Sequence, residues 1–233
     1  HHLVRIVPRS GRIVANGLEA SLDRVISRGL WSELERFGGP GQWQVGEVSA
    51  DGSCEFRFDG ASLGRVRLPL AGAHNRMNAL AALAAARHAG VQPAHAVASL
   101  ADFRGIRRRL ELRGTVRGVA VYDDFAHHPT AISATLEGLR QRVGAERILA
   151  LLEPRSNTMK LGVMKAQLPA SLELADKVWC AGANLGWDAR EALAPLGAKA
   201  RVFDRVEEIV DDVVAEARSS DHLLVMSNGA FGG

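Results

Sequence analysis

The sequence predicts an α/β protein in two parts: a mixed α+β piece to about Arg108, then a Rossmann-like domain with a mainly parallel sheet. Three observations carry this. After Arg108, short apolar runs alternate with stretches of helical periodicity, the pattern of a parallel sheet with helices on both faces. Before Arg108, three runs of alternating apolar and polar residues follow one another with only Gly or Asp-Gly between them, as in an antiparallel meander with one wet face. The composition, 47% hydrophobic with only 5% aromatic, suits helices packed on Val/Ile-rich strands better than a β-sandwich.

Taken in order, "LVRIVPRSGRIVAN" predicts two short strands around a Pro-Arg-Ser-Gly turn. "LEASLDRVISRG" has Leu18, Leu22, Val25 and Ile26 at helical spacing, with Gly29 where a C-terminal cap belongs. "QWQVGEV", "CEFRFDG" and "GRVRLPL" form the meander. "AGAHNRMNALAALAAARHAGV" is an Ala-rich helix that opens near Asn75 and stops at Gly90. "QPAHAVASLADF" is a second helix with Pro93 in its first turn. "RGIRRRLELRG", flanked by Gly105 and Gly114, reads as a boundary, giving domains 1–108 and 109–233. The second domain then has strands at "GVAVYDD", "RILALLEP", "DKVWCAG", "AKARVF" and "DHLLVMSNG". Between them lie helices at "PTAISATLEGLRQRV", "KAQLPASLELA" (interrupted early by Pro169), "WDAREALAPL" and "RVEEIVDDVVAEARS".

Bulk properties narrow the function. A net charge of +3 over 233 residues is a weak footprint for nucleic acid, and arginines facing a phosphorylated small molecule explain it as well. No apolar run approaches a membrane span, and no signal peptide is visible. The two cysteines, Cys54 and Cys180, form no C-x-x-C and read as reduced, buried thiols of a cytoplasmic protein. The opening His1-His2 fits either a tag remnant or a fragment of a longer protein.

Ligands of open parallel sheets bind beyond the carboxyl ends of the strands. Three such ends are polar here. "VYDDFAHHPTAI" brings Asp123, Asp124, His127 and His128 to one, with Pro129 opening the next helix. "LLEPRSNTMK" follows a strand with Glu153, Arg155, Ser156, Asn157, Thr158 and Lys160. "MSNGAFGG" ends the last strand with glycines that allow close backbone approach. The competing readings are structural: Asp123 or Asp124 as a helix cap or an arginine partner, and Arg155 as a surface ion pair with Glu153. A metal site on His127 and His128 lacks a third ligand placed by spacing. Neither G-x-G-x-x-G nor G-x-x-x-x-G-K-[ST] occurs. In "HNRMN", Asn75 and Asn78 share one helix face, where their carboxamides could match an adenine edge or be no more than a helix N-cap plus one polar surface residue.

"HNRMNALAALAAARHAGV", "FRGIRRRLE" and "YDDFAHHPTAI", in this order, resemble the ATP-dependent Mur ligases of bacterial cell-wall synthesis. "LLEPRSNTMK" and "MSNGAFGG" are similar to the branch of that family that joins UDP-N-acetylmuramate to a murein tripeptide during recycling. The resemblance spans essentially the whole chain. It implies the end of a central ATP-binding domain followed by the C-terminal domain, without the P-loop. It also implies ATP as cosubstrate and Mg2+ with ligands mostly outside this chain. By position it implies His74, Asn75 and Asn78 on the adenine side, Asp124 at the ribose, Arg109 on the phosphates and His127 near the reacting phosphate and amine. Relatives that add L-alanine have His-Arg-Tyr-Thr-Arg where this chain has "RSNTMK", so Arg155, Ser156, Asn157 and Lys160 are the candidates for holding a longer acceptor. An L-alanine-adding or folylpolyglutamate-type relative, a stand-alone nucleotide-binding module and a metal-dependent hydrolase are the alternatives.

Overall fold

A computed structural model describes residues 2–70 and 72–231; the last two glycines of "MSNGAFGG" lie outside them. The chain divides into two compact units between Arg104 and Gly105.

The first unit runs α1 (His2–Ile6), β1 (Arg12–Asn16), α2 (Ala20–Ile26), β2 (Glu33–Phe37), β3 (Trp43–Val48), β4 (Ser53–Phe58), β5 (Ala61–Arg67), α3 (Ala73–His88) and α4 (Pro93–Ser99). Its sheet has the order β1-β2-β3-β4-β5. The predicted meander is β3-β4-β5, antiparallel throughout. Two elements depart from the sequence reading. The expected first strand is helix α1, with no buried residue. A strand needs a neighbour to take its backbone groups, and β1 has only β2 beside it. β2 is the parallel partner that the sequence hid. Its alternation is masked by Glu35, which points inward at 4% exposure. Arg12 and the Trp43 indole N–H pair with that carboxylate, and Arg87 approaches to 3.4 Å. A buried charge is tolerated only with such partners. α3 lays Ala79, Leu80, Leu83 and Ala84, at 3.6-residue spacing, on Trp43, Phe56 and Val66 of the sheet.

The second unit runs β6 (Glu111–Val116), β7 (Val119–Asp124), α5 (Pro129–Val143), β8 (Ile148–Glu153), α6 (Asn157–Lys160), α7 (Leu168–Ser171), β9 (Lys177–Ala181), α8 (Ala189–Leu193), β10 (Ala200–Phe203), α9 (Val206–Glu216) and β11 (His222–Ser227). The sheet order is β10-β9-β8-β11-β7-β6, parallel except for β6. β8 explains the two-sided fold. Ile148, Ala150 and Leu152 pack with Ile132, Leu136 and Leu139 of α5. Leu149 and Leu151 pack on the other side with Ile209 and Val213 of α9. Burial on both faces is why this strand reads as an unbroken apolar run.

β6 falls inside the segment that reads as a boundary. It is an edge strand with exposed Leu112 and Val116, so no amphipathic signal survives. Arg117 and Gly118, both at positive φ, turn it into β7. That two-residue hairpin needs left-handed residues at both positions. The helix expected at "KAQLPASLELA" shrinks to a 3-10 turn (Lys165–Gln167) and α7, with Pro169 in α7's first turn. α6 is capped by Ser156, whose hydroxyl accepts from Met159 N. Cys54 and Cys180 are buried and free of disulfide. Burial pushes the Cys180 thiol up to about 12, which makes it inert.

Candidate active site

Three neighbouring strands end together. In register, Asp123 and Asp124 of β7 lie beside Val225 and Met226 of β11, and Ser227 of β11 lies beside Glu153 of β8. The carboxyl ends of β8, β11 and β7 thus form one polar edge, and each contributes a loop to it.

Asp124 is 3% exposed, and both its oxygens accept hydrogen bonds inside the protein. One accepts from Leu110 N at 2.7 Å. The other accepts from Ala126 N at 2.7 Å and from the Thr135 hydroxyl at 3.3 Å. The residue therefore ties the segment before β6, the β7–α5 loop and α5 into one piece. Burial raises its pKa, and this outweighs the lowering by the Ala126 and Leu110 amides, Arg109 and Thr135. Asp123, on the opposite face, has a side chain 26% exposed and pairs with Arg108 at 3.4 Å. Of the two aspartates, Asp123 is the more exposed. His127 is partly exposed, with Nδ1 3.0 Å from Phe125 O and its ring edge-on to Phe125. His128 stands at the N-cap position of α5 without capping it through its side chain. Among the described residues no three His, Cys, Asp or Glu side chains gather to hold a metal.

Arg109 is exposed, with its guanidinium 5.9 Å from the Phe125 ring centroid, and makes no hydrogen bond or ion pair among the described residues. Arg108, which the sequence reading passed over, is engaged on all sides. Its Nη2 donates to Ser227 O at 2.6 Å and to Gly229 O at 2.9 Å. It also lies over Phe125, and it lines a cavity of about 450 Å3 with Asp123, Tyr122, Val225, Gly229 and Phe231. Within "RRR" nothing distinguishes it from its neighbours; only the left-handed backbone at Arg108 and Leu110 separates their directions.

Arg155 is exposed and, among the described residues, has no carboxylate partner. Among the described residues the surface pair with Glu153 does not form, and Glu153 accepts from the Ser227 hydroxyl. Arg155 lies against Gly229, so closely that a Cβ there would come within 2.4 Å of its Nη1. Ser156 caps α6, Asn157 opens it exposed, and Lys160 closes it half-buried. In the first unit, His74, Asn75 and Asn78 sit in the first two turns of α3, with His74 and Asn78 exposed. The Asn78 carboxamide makes no hydrogen bond among the described residues, an arrangement shared by a polar surface residue and a free ligand contact.

Residues 108–229 match the family model described as "Mur ligase, glutamate ligase domain". The chain belongs to the Mur ligase family. The matched segment begins and ends on Arg108 and Gly229, which one hydrogen bond joins. The UDP-N-acetylmuramate–L-alanyl-γ-D-glutamyl-meso-2,6-diaminoheptanedioate ligase of Escherichia coli K12 is 49% identical over the whole of this chain and 52% of its own length. The ligase of the same name from Haemophilus influenzae is 41% identical over the same shares. A crystal structure of a murein peptide ligase from Psychrobacter arcticus superimposes with a TM-score of 0.74 at 35% identity, over 99% of this chain and 51% of that one. The chain spans about half the length of the relatives it matches. The Mur ligase fold thus accounts for both units.

Proposed function

We propose that this chain is the nucleotide-edge and acceptor-binding part of a cytoplasmic, ATP-dependent peptide ligase. The ligase joins UDP-N-acetylmuramate to the murein tripeptide L-alanyl-γ-D-glutamyl-meso-diaminopimelate in peptidoglycan recycling. The observation that carries this reading is the cationic loop after β8: among the described residues Arg155 has no carboxylate partner, and it is set beside the shared strand edge. The names of the relatives above support it. The chemistry is amide formation. The muramoyl carboxylate takes the γ-phosphoryl group of ATP, and the tripeptide's α-amine then displaces phosphate through a tetrahedral intermediate. In such a reaction the protein mainly positions the reactants and stabilises oxygen charge. Arg109, exposed and without an ion pair among the described residues, offers a rigid fork to phosphate oxygens. His127 stands at the same edge for the reacting phosphate and amine, and Asp124 serves the nucleotide by holding the loops that carry both. Mg2+, when bound, supplies charge neutralisation at the phosphates.

Two substitutions in the full-length enzyme test the assignment. Arg155→Ala is expected to raise the tripeptide KM at least tenfold while the KM values for ATP and the muramoyl nucleotide stay nearly unchanged, since a charge-assisted fork to a carboxylate is among the stronger contacts. An unaltered tripeptide KM would move the acceptor site to Lys160 or Asn157. Asn78→Ala is expected to raise the KM for ATP alone. Its cost is about 1–3 kcal/mol if the carboxamide reads an adenine edge. Unchanged ATP dependence would remove α3 from the nucleotide site.

A further inference from the structure

The family resemblance draws attention to Arg109 and Arg155. The hydrogen bonds single out a third arginine that lies between them in function. Arg108 has positive φ, and both its backbone and side chain are used. Its N–H donates to Glu111 at 2.8 Å, and its carbonyl accepts from Phe125 N at 2.8 Å. One nitrogen of its guanidinium reaches two carbonyls, those of Ser227 and Gly229, and its Nε faces Asp123 at 3.4 Å. The turn that follows β11 is held a second time from below, because Gly229 N donates to the Ser227 hydroxyl at 2.8 Å and that hydroxyl donates to Glu153. The outer surface of this turn is the glycine on which Arg155 rests.

We propose that Arg108 is a positioning residue for the acceptor. By fixing the Ser227–Gly229 turn, it builds the seat that aims the Arg155 guanidinium at the acceptor's carboxylate. A planar fork can bridge two carbonyls and a carboxylate at once, which a lysine ammonium on one flexible stem cannot match. Among the described residues Arg155 has no ion pair of its own to fix its direction, so its aim depends on the backbone beneath it. A side chain left without that support loses the near-attack geometry on which such a site depends. Gly229 has ordinary negative φ, so its lack of a side chain serves the close approach of Arg155 rather than the turn itself.

This inference rests on the acceptor role given to Arg155 above, and the experiment separates the two. In the full-length ligase, tripeptide and ATP KM are measured for Arg108→Ala, Arg108→Lys, Arg155→Ala, the Arg108→Ala/Arg155→Ala double variant and Gly229→Ala. The expected result is a tripeptide KM raised at least tenfold by Arg108→Ala, with ATP KM changed less than twofold. Arg108→Lys should recover only part of the loss, and the double variant should be no worse than Arg155→Ala alone. Gly229→Ala should reproduce the Arg155→Ala phenotype by pushing the guanidinium off its seat while the clamp stays intact. If Arg155→Ala raises the tripeptide KM but Arg108→Ala or Gly229→Ala leaves it within twofold, the positioning role is wrong and the acceptor assignment stands. If Arg155→Ala itself has no effect, both fall. Equal rises in ATP and tripeptide KM, or full additivity in the double variant, also overturn the positioning role. Should Arg108→Ala not fold, the Gly229→Ala result decides alone.

Discussion

Residues 1–233 on their own are expected to leave ATP intact and to form no amide bond. Phosphoryl transfer in this class depends on a loop whose backbone N–H groups and lysine cradle the phosphates and whose hydroxyl helps to hold Mg2+. The sequence contains no G-x-x-x-x-G-K-[ST]. A lone arginine such as Arg109 neutralises charge at one point. It does not align the γ-phosphoryl group with an attacking carboxylate, and alignment supplies several powers of ten in rate. Phosphate release from ATP with the muramoyl nucleotide and tripeptide present should therefore match a mock preparation. Turnover well above that background would show that catalysis does not need the missing loop.

Asp124→Ala is expected to be the most damaging single substitution in the second unit. It strips the partners from two backbone amides, Leu110 N and Ala126 N, each bound at 2.7 Å beneath a carboxylate that is 3% exposed. A buried donor left unpaired costs about 1–3 kcal/mol, so the pair loses on the order of 2–6 kcal/mol from a domain holding roughly 5–15. The pH dependence has a definite sign. Burial places the folded pKa of Asp124 above its ordinary 3.8. The folded state then binds the proton more tightly than the unfolded state does. The group's titration contribution is fully present below the unfolded value and is lost as pH rises through the folded one. The gap in stability between wild type and Asp124→Ala should consequently widen as pH falls from neutrality through that pKa, and level off below about 3.8. Thermal or denaturant unfolding of the two proteins at several pH values checks this. A gap that narrowed in acid would mean that the hydrogen bonds, not burial, dominate.

Much of the second unit was legible because its strands are buried on both faces and its helices carry clear periodicity; β8 and α9 are examples. The misses have local causes. β2 hides an inward Glu35 among charged residues, and only the three-dimensional meeting of Arg12, Trp43 and Arg87 explains it. β6 is an exposed edge with no apolar face to betray it. The site follows the same division. That Asp123, Asp124 and Arg155 lie at strand ends could be read from where apolar runs stop. Which aspartate is sealed in and which is open depends on side-chain alternation across β7, together with donors up to 14 residues away. Arg108 is one of three consecutive arginines, and its partners lie about 120 residues further along the chain.

The placement of β11 between β8 and β7 has a consequence for how the protein is made. The strand that occupies the middle of the sheet is the last of its six strands in sequence order. It pairs with β7, 102 positions earlier in register, and with β8, 74 positions earlier. Until residues 222–227 leave the ribosome, β7 and β8 each expose a bare hydrogen-bonding edge and apolar faces. The nascent second unit must wait in that unpaired condition, open to wrong strand addition and to chaperone capture. Closure is therefore a late, non-local and comparatively slow event. A ribosome stalled before residue 222 would carry a chain whose first unit can be folded while its second is still open.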